Sequence, residues 1–207
     1  VLTSHRIRMM SCSFSPDGIL LATVSDDGTA RLWEVATGRE QQTLIGHSSR
    51  LNRCAFSPDG TLLATAGNDG TARLWQIPCG TSHHVLTGHI GWVRSCAFSP
   101  DGSLVATGGT DQTVRVWRVA DGSAQAVLTG HSDRIQSCAF SPDGTLLASA
   151  SFDGTVRLWH VFDGTVRAIL TGHTDGINGC MFSPDGTLLA TASDDRTVRL
   201  WQLPDRT

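Results

Sequence analysis

The sequence predicts an all-β fold in which one four-stranded antiparallel sheet is repeated five times around an axis. Three observations carry that prediction. Phe14, Phe56, Phe98, Phe140 and Phe182 lie 42 residues apart, and so do Trp33, Trp75, Trp117, Trp159 and Trp201. A fixed period of roughly 20–50 residues marks a stacked or radial array. Within each period, short β-type runs alternate with turns that carry Gly, Pro and Asp. No segment shows a helical period of useful length.

The third unit shows the elements in order. "WVRSCAF" reads as the first strand and stops at "SPDG", which has Pro and Gly where a turn wants them. "SLVATGG" reads as the second strand. A tight turn follows, "TDQ" here and "DDG" or "NDG" in the first two units. "TVRVWRV" is the third strand, and "ADG" leads into the fourth, "AQAVLT". Strand direction then places residues. If the first strand descends to "SPDG", the second climbs to the Asp turn, the third descends and the fourth climbs to the "GH" loop. His and Asp of one unit therefore meet at the same, upper end. The Trp lies on the strand beside the one carrying Thr23, Thr65, Thr107, Ser149 or Thr191, a position that always holds a hydroxyl.

This order of "GH", "FSPDG", "LLATAS", "DG" and "TVRLW" resembles the WD-repeat β-propeller family, over essentially the whole chain. The resemblance implies a single propeller domain, 1–207, of five four-stranded blades. It also implies a hydrogen-bonded structural tetrad in each blade. By position these are His5, Thr23, Asp27 and Trp33; His47, Thr65, Asp69 and Trp75; His89, Thr107, Asp111 and Trp117; His131, Ser149, Asp153 and Trp159; and His173, Thr191, Asp195 and Trp201. One departure is plain. The residue after the Trp is Glu34, Gln76, Arg118, His160 or Gln202, never the Asp that gives the family its name.

A hydroxyl, a His and an Asp within reach of one another also suggest a catalytic triad. Repetition argues against it, because an active site does not need five copies on a ring, and the chain reads as non-enzymatic. The cysteines follow the same logic. Cys12, Cys54, Cys96, Cys138 and Cys180 share one register two residues before the Phe and read as small core residues. No CxxC spacing offers a zinc site, and neither metal nor cofactor is expected. Unpaired thiols suit a reducing, cytoplasmic setting. Cys79 stands alone in a loop. His83 and His84 are adjacent on an outer strand and read as solvated. Arg31, Arg73, Arg115, Arg157 and Arg199, each two before the Trp, read as a solvated or salt-bridged stripe.

Where repetition marks the scaffold, function is expected in the departures. Three residues after each His come Arg8, Arg50, Trp92, Arg134 and Gly176; five after come Met10, Asn52, Arg94, Gln136 and Asn178. Before the tetrad Asp come Asp26, Asn68, Thr110, Phe152 and Asp194. The resemblance puts these on the upper rim of a central channel, where the family binds partners. Arg8, Arg50, Trp92, Arg94, Arg134 and Phe152 are the partner-binding candidates, with Trp92 and Phe152 expected to be exposed. Arg and Trp are enriched at interface hot spots, and a cationic rim suits an acidic protein or peptide. The same Arg could instead only bridge neighbouring blades.

All sixteen basic residues are Arg and the net charge is −3, so a nucleic acid is an unlikely bulk partner. No apolar run approaches the roughly 20 residues of a membrane span. Two other readings fit the same residues. One is a sensory propeller of a larger bacterial signalling protein. The other is an amplified or engineered repeat with no evolved ligand. Closure is the last expectation. Thr207 aligns with Thr165 and Val1 with Ile169, so the ends are expected to meet, share the last outer strand and close a five-bladed ring, with Asp26 and Asp194 close together at the seam. The competing expectation is a slice of a longer array belonging to a longer parent protein, and such a slice left open exposes an apolar blade face at each end and self-associates.

Overall fold

The computed structural model describes residues 7–203. They form nineteen strands and no helix. The first blade holds β1 (Met9–Phe14), β2 (Leu20–Ser25), β3 (Ala30–Glu34) and β4 (Glu40–Leu44). The second holds β5 (Leu51–Phe56), β6 (Leu62–Gly67), β7 (Thr71–Gln76) and β8 (Ser82–Thr87). The third holds β9 (Val93–Phe98), β10 (Leu104–Gly109), β11 (Val114–Arg118) and β12 (Ala124–Leu128). The fourth holds β13 (Ile135–Phe140), β14 (Leu146–Ser151), β15 (Val156–His160) and β16 (Val166–Leu170). The fifth holds β17 (Ile177–Phe182), β18 (Leu188–Ser193) and β19 (Val198–Gln202). Strands pair in sequence order, as the tight turns require.

The "SPDG" turns build themselves from side chains. In the second blade the Ser57 hydroxyl donates to Asp59 at 2.6 Å and accepts from the Leu62 amide at 2.9 Å. Asp59 in turn accepts from the Thr61 amide at 3.1 Å. Gly60 closes the loop at φ +73°, a conformation that costs a side chain strain and glycine nothing. The other blades repeat this arrangement.

The core lies between blades. One blade offers small and branched residues, and the next covers them with larger ones. Ala22, Val24, Ala30 and Leu32 of the first blade pack under Leu51, Cys54, Leu63 and Trp75 of the second. Ala148, Ala150, Val156 and Leu158 of the fourth pack under Ile177, Phe182 and Leu189 of the fifth. Small residues on one face let the next sheet approach closely, and the wider Trp and Phe fill the wedge.

The inner strands follow one another around the axis, with β1 beside β5, then β9, β13 and β17. The series stops there. Among the described residues, β17 and β1 do not pack as the other inner strands do. This corrects the expected closed ring: the described blades form an open arc. Phe14 on one flank is 61% exposed, and Val198 and Leu200 on the other are 71% and 68% exposed. Asp26 and Asp194 accordingly share no seam. The fifth sheet has three strands among the described residues, and the ends expected to complete it, around Val1 and Thr207, lie outside them. Matching ends are not enough for closure, because the wedge angle per blade also decides it, and that angle is set by packing.

Candidate functional site

The tetrads assemble in the four blades whose His is described. In the second blade Trp75 Nε1 donates to the Thr65 hydroxyl at 2.8 Å. His47 Nε2 lies 2.9 Å from the same hydroxyl, and His47 Nδ1 lies 2.8 Å from Asp69. The third blade repeats this with Trp117, Thr107, His89 and Asp111 at 2.8–3.0 Å. The fourth does so with Trp159, Ser149, His131 and Asp153, and the fifth with Trp201, Thr191, His173 and Asp195. In the first blade Trp33 donates to Thr23 at 2.7 Å, with Asp27 on the upper turn. His5 lies outside the described residues.

One proton arrangement satisfies every partner. The indole donates to the hydroxyl, the hydroxyl donates to Nε2, and Nδ1–H donates to the carboxylate. The imidazole is then neutral. Burial lowers the pKa of His47 and His89 despite their Asp partners, which keeps them so. Burial opposes the charge of Asp69 and Asp111, but hydrogen bonds and the His outweigh it and lower both pKa values. Thr65, Thr107 and Ser149 are fully buried, and each hydroxyl is engaged on both sides.

The Arg stripe caps these networks. Arg73, Arg157 and Arg199 sit about 6 Å over the rings of Trp75, Trp159 and Trp201. Arg31 instead pairs with Glu40 at 2.7 Å. The glycine of "GH" makes the cap possible. Gly130 has φ +140°, and a Cβ there would stand 2.7 Å from the Arg157 guanidinium.

The rim is built by a repeated irregularity. Each inner strand pairs with its neighbour except at one skipped residue: Met10, Asn52, Arg94, Gln136 and Asn178. These are β-bulges, which leave one residue out of the ladder and redirect its side chain. Arg94 Nε donates to Gln136 of the next blade at 2.9 Å. Asn52 donates to Asn68 and to the Val93 carbonyl, both at 2.7 Å. Asn178 donates to Asp194.

The candidate residues fall into two groups. Trp92, Arg94 and Arg134 line one cavity of about 370 Å³ with Thr110 and Asp133. Trp92 is 50% exposed, while its amide donates to Thr110 at 2.9 Å. Burial lowers the pKa of Arg94, and the charges of Arg50 and Arg134 lower it further, so three guanidiniums crowd this side of the mouth. Among the described residues, Arg94 makes no ion pair with a carboxylate. Arg50 does bridge two blades, with Nε 2.9 Å from Asp26 but without the alignment of a hydrogen bond. Arg8 is exposed at the flank of the first blade, outside the cavity. Phe152 departs from expectation. It is half-buried, with the Arg134 guanidinium 3.5 Å from its ring centroid and Gly176 also close against the ring. Its role is to brace Arg134, because cation and ring face attract.

Arg53 is a residue that the rim comparison misses. It follows the bulge in the register of Ser11, Ser95, Ser137 and Gly179, and lines a lower channel cavity of about 470 Å³ with the Cys and Phe rings. Its charge reaches Cys54, Cys96, Cys138 and Cys180. The same search for departures, moved one residue along, finds it. Burial pushes the Cys96 thiol up to about 12 and Cys180 to about 11, so these are packing residues. The His83 and His84 rings lie 4.2 Å apart with their planes tilted at 53°, and His84 packs against Gly122 of the third blade rather than being solvated. No group of three or more His, Cys, Asp or Glu is placed to hold a metal among the described residues.

Repeated antiparallel blades, buried tetrads and a channel mouth built on bulges define a propeller of the WD type. The family model described as the IFT122 first beta-propeller matches residues 50–202, and the WD domain, G-beta repeat model matches residues 1–34. The chain belongs to the WD-repeat β-propeller family. It is similar to the ribosome biogenesis protein ERB1 of Debaryomyces hansenii, 48% identical over 40 residues. It is also similar to the ERB1 proteins of Eremothecium gossypii and Kluyveromyces lactis, each 50% identical over 40 residues. Each match covers 19% of this chain and 5% of the relative, about the length of one blade.

Proposed function

We propose that this chain is a non-enzymatic interaction scaffold that takes an acidic peptide or protein segment at the upper channel mouth. The observation that carries this reading is the Arg94 guanidinium. It lies in the mouth without a carboxylate partner among the described residues, between Arg50 and Arg134 and beside the half-exposed Trp92. An acidic side chain would complete bidentate hydrogen bonds there, and the indole would cover the neighbouring chain. Asp133 on the cavity wall sets polarity, favouring a ligand whose acidic group enters on the Trp92 side. The tetrads do not favour catalysis, because their hydroxyls are buried and already bonded. A role in assembling larger complexes fits the family. The likeness to ribosome biogenesis proteins spans one blade and transfers the repeat rather than the task. The free cysteines support a reducing compartment, and we place the protein in the cytoplasm.

The test is a fluorescence-anisotropy titration with a labelled Glu-rich peptide. Wild type binds, and added salt weakens binding. The combined variant Arg50→Glu, Trp92→Ala, Arg94→Glu and Arg134→Glu loses binding while staying folded by circular dichroism. Arg39→Glu, on an exposed loop between β3 and β4, leaves it unchanged. Equal affinity for all three proteins, or none for wild type, overturns the reading.

A further inference from the structure

We propose that the upper loop of the third blade, with Ile90 and Trp92 at its two ends, is an apolar anchor for an aliphatic side chain of the ligand. The anchor rests on the acidic reading of the channel mouth and adds a second requirement to it: an acidic segment that also carries a Leu-like residue at a fixed spacing. The third blade has a described neighbour on each side, β9 lying between β5 and β13. At Ile90 the chain departs from its own repeat. The second, fourth and fifth blades hold Ser48, Ser132 and Thr174 there. The scaffold uses only the backbone at this place. The Ile90 amide donates to Asp111 at 3.0 Å, and the Ser48, Ser132 and Thr174 amides donate equally to the Asp of their own blades. The Ile90 side chain is 82% exposed and has no part in that bond. An aliphatic group held in water gains free energy when it is covered. Two residues on stands the half-exposed Trp92, which borders the cavity of Arg94 and Arg134.

The loop is also held in place, and by further departures from the repeat. Thr110 ties to it twice: the Trp92 amide donates to the Thr110 hydroxyl, and the Thr110 amide donates to the Trp92 carbonyl, both at 2.9 Å. In the second and fifth blades the side chain at this place serves the bulge instead, Asn68 accepting from Asn52 and Asp194 from Asn178. Gly91 follows from Thr110. It has φ +104°, and a Cβ there would stand 2.5 Å from the Thr110 hydroxyl, so the Ser or Asp of the other blades would not fit. On its other side the Gly91 carbonyl lies against the Asp turn of the second blade, 3.1 Å from where a Cβ of Gly70 would be. Ile90, Gly91 and Thr110 thus alter one loop together. An apolar pair on a backbone already fixed loses little freedom when covered, so its burial appears as affinity. A ligand whose acid meets Arg94 passes over Trp92 and lays its aliphatic residue on Ile90.

Fluorescence anisotropy on the full chain tests this with a labelled peptide of two Glu flanked by Gly, and with peptides of the same charge in which Leu replaces a single Gly at each flanking place in turn. At one spacing or more, the Leu peptide binds wild type about tenfold tighter than the plain one, the order that covering one aliphatic side chain supplies. Added salt weakens both peptides alike, so the ratio between them holds. Ile90→Ser, which installs the residue of the second and fourth blades, removes the gain, so that both peptides bind it equally. Its melting temperature is unchanged, because the side chain is exposed. Phe162→Ser, at a 97% exposed position on the lower loop between β15 and β16, keeps the gain. The anchor alone fails if wild type binds the plain peptide and no Leu peptide binds tighter, or if Ile90→Ser keeps the gain. If wild type binds none of the peptides, the acidic reading fails and the anchor with it.

Discussion

The fourth and fifth blades are nearly the same sheet in two environments. Both complete their tetrads, with His131 and His173 at 2.8 Å from their hydroxyls. Both present Ala, Ala, Val and Leu to the following position. Yet Leu158 is fully buried and Leu200 is 68% exposed. The difference teaches that local structure here needs only the unit's own sequence, whereas apolar burial is supplied by the neighbour.

The largest test of that difference is a paired truncation. Leu158→Ala removes a side chain from an enclosed interface and is expected to cost about 2–5 kcal/mol. Leu200→Ala, measured on dilute protein, is expected to stay within about 0.5 kcal/mol of wild type. Denaturant unfolding monitored by tryptophan fluorescence reads both, and equal losses would show that the fifth blade is enclosed after all. The tetrads come next. Asp111→Ala leaves a buried imidazole without its acceptor and is expected to cost roughly 1–3 kcal/mol. Because each tetrad hydroxyl is already bonded within its own blade, the proposed acidic-peptide binding at the rim is expected to persist wherever the variant remains folded.

Acid should weaken the molecule in two steps. The pKa of His47 and His89 is lowered below the ordinary 6.5, so the unfolded chain takes up protons first as pH falls. Stability is therefore full above about 6.5 and declines below it. Asp69 and Asp111 are lowered below 3.8, so their contribution is present above that value and is lost on further acidification. A melting-temperature profile that stays flat between pH 7 and pH 4 would contradict the neutral, buried imidazoles. The smallest effect is at the Asp turns. Gln112 and Arg196 hold φ near +67° and +69°, where the other blades have Gly28, Gly70 and Gly154. Gln112→Gly and Arg196→Gly relieve that strain and are expected to stabilise by at most about 1 kcal/mol, visible as a small rise in melting temperature.

Much of the scaffold could be read from the chain. The 42-residue interval located the tetrads of the four blades whose His is described, and strand direction placed His and Asp at one end, because both depend on local sequence and turn length. Trp92, Arg94 and Arg134 came out together for the same reason. Three features did not. Phe152 reads as exposed in the sequence, but its contacts with Arg134 and Gly176 half-bury it. Arg53 escaped because the residue after a bulge faces a direction that simple alternation does not give. Closure depends on the angle between sheets, a sum of many packing contacts that no single residue reports.

The skipped residue of each inner strand carries a consequence for how such a protein changes over time. Arg94 and its counterparts contribute no ladder pairing, so replacing one leaves the strand's own hydrogen bonds in place. The five sites sit on separate blades; Arg94 and Gln136 share a hydrogen bond and are coupled, whereas effects at sites without a shared partner tend to add. Ligand preference can therefore drift one position at a time, each step leaving a foldable intermediate. Lineages sharing this framework can diverge in what they hold without first rebuilding what holds it.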